Sequence, residues 1–180
     1  MSMSSLKKLF GGKRMAALTA GTKAPPFELL ATNGTKFSLA DMLTRGPVLA
    51  AFFKISCPVC QYAFPYLERI HKTYGSSGKL TIVGISQNEK NDTAEFNRRY
   101  GVTFPVLLDD TKSFPVSNAY GLTNVPTAFW IGEDGEIEIS SVGWVRQEFE
   151  EIARQAAESA GTSPKPLFQA SEQIADFRAG

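Results

Sequence analysis

The two cysteines of this 180-residue chain, Cys57 and Cys60, are the residues best suited to chemistry. They flank Pro58 and Val59, and they follow a short apolar segment, residues 47–53, with the composition of a buried strand. A chain that leaves a strand and begins a helix at Cys57 places that sulfur beside unpaired backbone N–H groups, which favour a negatively charged thiolate. Pro58 then occupies the first helical position, where its missing N–H is not needed. The spacing therefore predicts a reversible dithiol switch in which Cys57 reacts first.

Length and composition indicate one compact domain. Hydrophobic residues make up 43% of the chain and aromatic residues 11%, which is enough for a sizeable core. The 19 Lys and Arg residues nearly cancel the 18 Asp and Glu residues, so no nucleic-acid partner is expected. Two cysteines are too few for a disulfide framework, and the pair is therefore predicted to be redox-active rather than structural.

Residues 1–20 are predicted to form a flexible basic segment, with its basic residues at Lys7, Lys8, Lys13 and Arg14. An anionic membrane could attract this segment weakly. A solvated basic tail is the preferred interpretation, and no firm membrane association is expected. No apolar stretch of signal-peptide or transmembrane length is evident. We therefore expect a cytoplasmic location.

The segment from residue 21 to residue 160 is predicted to be an α/β domain. Asn33-Gly34 between two apolar segments indicates a hairpin of residues 27–31 and 35–39. Ser38-Leu39-Ala40-Asp41 then has the form of a capping box and predicts a short helix through Leu43. Residues 47–53 and 79–86 are predicted to be buried strands, and the amphipathic helix between them implies a right-handed parallel crossover. Later elements are expected as helices at 93–100, 113–120 and 146–160, and as strands at 105–108, 126–131 and 136–142.

Residues 161–180 are predicted to be a C-terminal tail. Four apolar residues, Leu167, Phe168, Ile174 and Phe177, suggest that the tail lies against the domain. A frayed terminus is the alternative, because the tail shows no clear hydrophobic period.

These features resemble those of the thioredoxin superfamily over about residues 21–160. More narrowly, the chain is similar to the branch that contains the TlpA and ResA-type disulfide oxidoreductases and the AhpC/TSA-type peroxiredoxins. Three features carry this likeness: the Gly-x-x-Ala-Pro-x-Phe opening at residues 21–27 with its hairpin, the extra unit at residues 87–110, and Pro65, five residues after Cys60. The resemblance implies a thioredoxin-like α/β fold with a central mixed sheet flanked by helices, an N-terminal hairpin and a central insertion.

The resemblance also implies the roles of individual residues. Cys57 corresponds to the attacking thiol, Cys60 to the resolving thiol, and Pro126 to a cis-proline that faces them. The implied substrate groove is formed by residues next to the sulfurs: Ser56, Pro58, Val125 and Pro126. In the family, the backbone at the position of Val125 pairs with an extended substrate. The implied partners are a protein or small-molecule disulfide and an unidentified thiol as electron donor or acceptor, with no cofactor.

Five positions depart from the patterns of these relatives. Ala51 and Ala63 stand where thioredoxin and ResA-like proteins carry acidic proton acceptors. Ser56 replaces the aromatic residue that usually precedes the first cysteine. Ala50 and Lys54 stand where peroxiredoxins carry proline and threonine, although Lys54 could still favour a thiolate. We therefore infer the dithiol chemistry from the relatives more readily than the groups that accept protons or the partners.

Other interpretations of the cysteine pair are open. They are a pair of inert buried thiols, a thiol peroxidase in which Cys57 becomes a sulfenic acid that condenses with Cys60, and a non-catalytic binding module. A zinc site needs further ligands, and His71, the one histidine, lies eleven residues beyond Cys60. That spacing is about 16 Å along an α-helix, so no metal site is expected and His71 is predicted to be a surface residue. Asp109 and Asp110 are predicted to lie in a solvated turn.

Overall fold

The computed structural model describes residues 16–180 and divides them into short strands and five helices. The strands are β1 (Glu28–Leu30), β2 (Lys36–Ser38), β3 (Val48–Phe53), β4 (Thr81–Ser86), β5 (Val106–Leu108), β6 (Thr127–Ile131), β7 (Ile137–Val142), β8 (Trp144–Val145) and β9 (Phe177–Arg178). The helices are α1 (Leu39–Leu43), α2 (Pro58–Tyr74), α3 (Lys90–Tyr100), α4 (Pro115–Ala119) and α5 (Arg146–Ala160).

A five-stranded mixed sheet lies at the centre, in the order β5-β4-β3-β6-β7. Strand β3 pairs in parallel with β4 and antiparallel with β6, while β4 and β5 are parallel and β6 and β7 are antiparallel. The hairpin β1–β2 precedes the sheet, and α3 with β5 forms the insertion predicted at residues 87–110. The predicted α/β class with a mixed central sheet is therefore confirmed.

The central strand β3 is buried along its whole length, and its side chains alternate between two cores. Leu49, Ala51 and Phe53 belong to the core covered by α2, α3 and α5. Val48, Ala50 and Phe52 belong to the core on the other face, with residues of α1 and the N-terminal hairpin. This strand ends immediately before the cysteine-bearing loop, so a rigid, doubly covered element fixes the position of that loop.

The short elements before β3 form where the local sequence predicts them. The Asn33 side chain accepts a hydrogen bond from the backbone N–H of Thr35 at 3.0 Å and so closes the β1–β2 turn. The Ser38 hydroxyl accepts from the backbone N–H of Asp41 at 3.1 Å and caps α1. Both contacts use side chains whose short reach is suited to turns and helix caps.

Asp109 corrects one prediction, because it is only 2% exposed rather than solvated. Its carboxylate accepts hydrogen bonds from the backbone N–H of Ser117 at 2.8 Å and from the Ser117 hydroxyl at 2.7 Å. Asp109 therefore ties the segment after β5 to the first turn of α4. Asp110 is exposed, and its hydrogen bond from Ser113 holds its pKa below the usual value.

Both ends of the described chain lie against the domain. Residues 1–15 of the predicted flexible segment 1–20 fall outside the described residues, but the backbone N–H of Leu18 donates to the Tyr120 carbonyl at 3.1 Å. The C-terminal tail packs Leu167, Phe168 and Ile174 onto the core of α2 and α5. Phe177, in contrast, is 62% exposed, so its side chain is not among those that pack the tail onto the core. Within residues 16–180, no helix combines the length and the apolar character that a membrane crossing requires.

Candidate active site

Cys57 and Cys60 lie at the start of α2, shortly after the C-terminal end of β3. Cys57 is the N-cap residue, and its sulfur accepts a hydrogen bond from the backbone N–H of Cys60 at 3.4 Å. Pro58 is the first helical residue, as predicted. The helix continues through Pro65 to Tyr74. The Cys57 sulfur therefore faces the N–H end of a 17-residue helix, where negative charge is stabilised.

The two thiols differ sharply in their surroundings. Cys57 is partly exposed, whereas Cys60 is 0% exposed and belongs to the core under α2. Burial raises the pKa of the Cys60 thiol well above its usual value, and the hydrogen bond and charge of Cys57 raise it further. Cys60 is thus a neutral thiol at neutral pH, while Cys57 is the thiol that a reagent can reach.

This burial makes the stability of the reduced protein depend on pH. The unfolded thiol titrates near 9.0, and the pKa of Cys60 is higher in the folded protein. Above about pH 9 the unfolded chain therefore releases a proton that the folded chain retains, and the stability of the folded state falls as the pH rises, by up to about 1.4 kcal/mol per pH unit. Below about pH 9 the Cys60 thiol is protonated in both the folded and the unfolded state, so its titration does not lower the stability of the folded state. Urea unfolding of the reduced protein across this range measures the slope.

The control is Cys60→Ala, which removes the titrating group and retains Cys57. The free energy of unfolding of this variant should fall less steeply with pH above about pH 9 than that of the wild type. Parallel curves for the two proteins would show that the folded state does not hold the Cys60 proton more tightly.

The Val125–Pro126 peptide bond is cis, in agreement with the resemblance, and it lies opposite the cysteines. The Cys57 thiol donates a hydrogen bond to the Val125 carbonyl at 3.3 Å. Ser56 and Pro58 are exposed beside the sulfur, Val125 is half-buried and Pro126 is buried. The structure thus places the Cys57 sulfur against the Val125 carbonyl that precedes the cis-proline, and Ser56 and Pro58 are the exposed neighbours of Cys57 along the chain.

The side chains of Ala51 and Ala63 make the surroundings of Cys60 apolar. Ala51 and Ala63 are both fully buried and belong to the same core as Cys60. Glu68 is a buried carboxylate on α2, but it accepts hydrogen bonds from the backbone N–H of Thr103, at 2.8 Å, and from its hydroxyl. Eight residues of α-helix separate Glu68 from Cys60, about 12 Å along the axis. Glu68 is therefore a structural carboxylate and not a proton acceptor for the resolving thiol.

His71 is partly buried instead of being a plain surface residue, and that prediction is wrong. Its ring packs edge-on against Phe104 at a centroid distance of 5.8 Å. Its position far along α2 keeps it away from the cysteines. In the part of the chain that the structure describes, no group of three or more His, Cys, Asp or Glu side chains is arranged to hold a metal ion.

Two polar residues that sequence reasoning missed hold the loop before Cys57. The Asn88 side chain accepts a hydrogen bond from the backbone N–H of Ile55 at 2.9 Å, and the Gln61 side chain donates to the Ile55 carbonyl at 2.9 Å. Asn88 lies 33 residues from Ile55 in sequence. No local pattern signals such a contact, because it depends on the parallel pairing of β3 and β4.

The mixed sheet, the dithiol at the start of α2 and the facing cis-proline define a thioredoxin-like protein. The AhpC/TSA family model matches residues 20–140, and the chain belongs to this family. The matched region includes both cysteines and Pro126, and it excludes α5 and the C-terminal tail.

Named relatives support the same class. The chain is 35% identical over 130 residues to the thiol-disulfide oxidoreductase ResA of Bacillus subtilis (strain 168), a match that covers 72% of this chain and 69% of that protein. It is 33% identical over 135 residues to ResA of Halalkalibacterium halodurans, with 74% of each protein covered. The solved thioredoxin domain of a thiol-disulfide oxidoreductase from Bacteroides vulgatus has a TM-score of 0.68 at 20% identity, over 77% of this chain and 98% of that one. The relatives and the paired thiols confirm the predicted dithiol–disulfide oxidoreductase, and the solved domain confirms the thioredoxin-like fold.

Proposed function

We propose that Cys57 attacks a substrate disulfide and that Cys60 resolves the product. The Cys57 thiolate forms a mixed disulfide with one substrate sulfur, and the other substrate sulfur leaves as a thiolate. The Cys60 sulfur, once deprotonated, then attacks the Cys57 sulfur and releases the second substrate thiol. Two electrons pass to the substrate, and the protein is left with a Cys57–Cys60 disulfide.

The observation that carries this proposal is the unequal environment of two adjacent sulfurs. Cys57 is accessible and accepts the Cys60 N–H at the start of α2, whereas Cys60 is sealed in the core. An attacking thiol must be reachable and stabilised as a thiolate, and a resolving thiol must wait nearby in its protonated form. The arrangement meets both requirements in one helical turn.

The departure from the relatives at Ala51 and Ala63 bears on the proton of Cys60. Neither side chain can accept a proton, and burial raises the pKa of this thiol. The proposal therefore assigns its deprotonation to the departing substrate thiolate or to water that enters the groove. Resolution should then accelerate as the pH rises, because the fraction of Cys60 in the thiolate form increases until the pH reaches the raised pKa of this thiol.

Trapping tests the assigned roles. Reduced Cys60→Ser protein, mixed with 5,5′-dithiobis(2-nitrobenzoate), should accumulate a stable mixed disulfide on Cys57, because the resolving sulfur is missing. Wild-type protein should pass through this species to the Cys57–Cys60 disulfide, and mass spectrometry distinguishes the two. A mixed disulfide that accumulates on Cys60 of Cys57→Ser instead would reverse the roles.

The proposal also covers the direction of electron flow and the location. We assign a reductant role in the cytoplasm, with an unidentified thiol as the electron donor. The reduction potential of the Cys57–Cys60 pair tests the direction: a value near −270 mV fits a reductant and a value near −120 mV fits an oxidant. Cell fractionation tests the location.

Consumption of hydrogen peroxide by the reduced protein tests the alternative that this protein is a thiol peroxidase.

A further inference from the structure

The C-terminal tail, residues 161–180, runs along α2 toward the cysteines. Its contacts with α2 occur in reverse order along that helix, from its last turn to its first turns. They are the Lys165 N–H to the Tyr74 hydroxyl at 2.8 Å, the ion pair of Arg69 with Glu172, and the Ala175 N–H to the Tyr62 hydroxyl at 3.1 Å. The tail is therefore antiparallel to α2, and its course leads to the helix end that carries Cys57.

The last residues of the tail are fixed beside the cis-proline loop. Strand β9 pairs with β8, with Arg178 opposite Trp144, and the Arg178 guanidinium lies 3.9 Å from the centre of the Tyr62 ring. The Asn124 side chain donates to the carbonyl oxygen of Gly180 at 3.0 Å. Residues 177–180 are thus held by backbone pairing with β8 and by the side chains of Tyr62 and Asn124.

Gly180 and Cys57 approach the same carbonyl group. A Cβ atom added to Gly180 would lie 2.4 Å from the Val125 oxygen, the atom that accepts the hydrogen bond of the Cys57 thiol. A Cβ atom on Gly143 would lie 2.6 Å from the Arg178 oxygen, and the Gly143 N–H donates to Pro126 at 2.8 Å. The absence of side chains at both glycines allows the tail to lie directly on the cis-proline loop.

The end of the tail occupies the space beside Val125 that an extended substrate would need. A polypeptide that pairs with the Val125 backbone as an added strand needs a free strip about 4.8 Å from it. Gly180 already lies in contact with Val125 within that distance. An incoming chain must displace residues 177–180 before it can pair.

A cavity of about 230 Å³ also borders Val125, lined by residues that include Lys54, Gln87, Asn118 and Asn124, and none of residues 177–180 lines it. This volume is below the 300 to 1,000 Å³ that is typical of pockets for drug-sized ligands, so it fits a group about the size of one amino acid. A compact disulfide can place one arm there and present its sulfur to Cys57.

We propose that residues 177–180 close the Cys57 groove to extended polypeptides and direct this enzyme toward low-molecular-weight disulfides. The proposal rests on the proposed function, since it concerns the substrates of the same dithiol. Protein disulfides react only in the fraction of molecules in which the tail end is displaced. Their apparent affinity is reduced by that fraction, whereas compact disulfides are unaffected.

The test is a variant that ends at Asp176. It lacks only residues 177–180, all of them exposed, and it retains the Arg69–Glu172 pair and the hydrogen bond from Trp144 to Ala175. With kcat/KM measured for insulin disulfides and for 2-hydroxyethyl disulfide, the first should rise about tenfold if one molecule in ten is open, and the second should change less than about twofold. Equal changes for both substrates, or a fall for insulin, would overturn the proposal, the latter by showing that the tail binds substrate.

A second measurement needs no turnover. Reduced full-length protein and the shortened variant are alkylated at Cys57 by iodoacetamide and by an unstructured peptide whose central lysine carries a chloroacetyl group. Truncation should speed the reaction with the peptide and leave the reaction with iodoacetamide unchanged. If truncation has this effect but neither protein reduces disulfides, the proposed function fails while the tail still closes the groove. If truncation leaves the peptide rate unchanged, the tail proposal fails alone.

Discussion

Replacing Cys57 with serine should slow the reduction of a small disulfide by at least about a thousandfold, a loss of about 4 kcal/mol of transition-state stabilisation. Serine keeps the shape of the N-cap but offers a hydroxyl in place of the thiolate that attacks disulfides. The remaining thiol cannot substitute, because Cys60 is fully buried and burial raises its pKa. The measurement is a single-turnover reaction of reduced protein with 5,5′-dithiobis(2-nitrobenzoate).

Cys60→Ser is the matched comparison for this experiment. It makes the same change of sulfur to oxygen, three residues away, but it leaves the attacking thiol in place. Release of the first thionitrobenzoate should keep a rate within about a factor of ten of the wild type, since the first step uses Cys57 alone. Release of the second should be lost. Comparable first-step losses in both variants would mean that the two sulfurs act as one unit from the start.

The local sequence predicts the part of the fold that supports this chemistry. Asn33 closes the first hairpin, Ser38 caps α1, and helix α5 spans residues 146–160 as expected. Cys57 is found at the N-cap of α2 because the buried strand before it and Pro58 after it specify that position within a few residues. These features depend on hydrophobic period, turn chemistry and capping, which act over short separations.

Residues whose position depends on distant contacts could not be predicted in this way. Asp109 resembles a turn residue in sequence, but it is buried because the N–H groups of α4 fold back onto it from eight residues away. The tail has no hydrophobic period, yet Ala175 is held by Tyr62 across 113 residues. The contact of Gly180 with Val125 follows from the path of the whole tail. Such contacts need the assembled sheet and helices before they exist.

Trp144→Ala should lower the free energy of unfolding by about 3 to 5 kcal/mol, the usual cost of deleting a buried tryptophan. The Trp144 side chain is 0% exposed, and its ring lies within 4.4 Å of the Phe149 ring and 4.9 Å of the Tyr62 ring, measured between centroids. Its indole N–H also donates to the Ala175 carbonyl at 2.6 Å. Trp144 therefore joins α2, α5 and the tail in one contact. Urea unfolding of the reduced protein measures the loss.

Two substitutions separate the parts of this effect. Trp144→Phe keeps a six-membered aromatic ring but removes the indole N–H, with its hydrogen bond to Ala175, and the packing of the five-membered ring, so it should cost about 2 to 3 kcal/mol. Phe177→Ala removes an aromatic side chain from the neighbouring position of the same β8–β9 pair, but one that is 62% exposed, and it should cost less than about 0.5 kcal/mol. A loss in Trp144→Ala no larger than that in Phe177→Ala would mean that the tail and α2 hold together without the buried indole. In that case the ion pair of Arg69 with Glu172 and the hydrogen bonds to the tyrosines of α2 would be the contacts that position the tail beside Cys57.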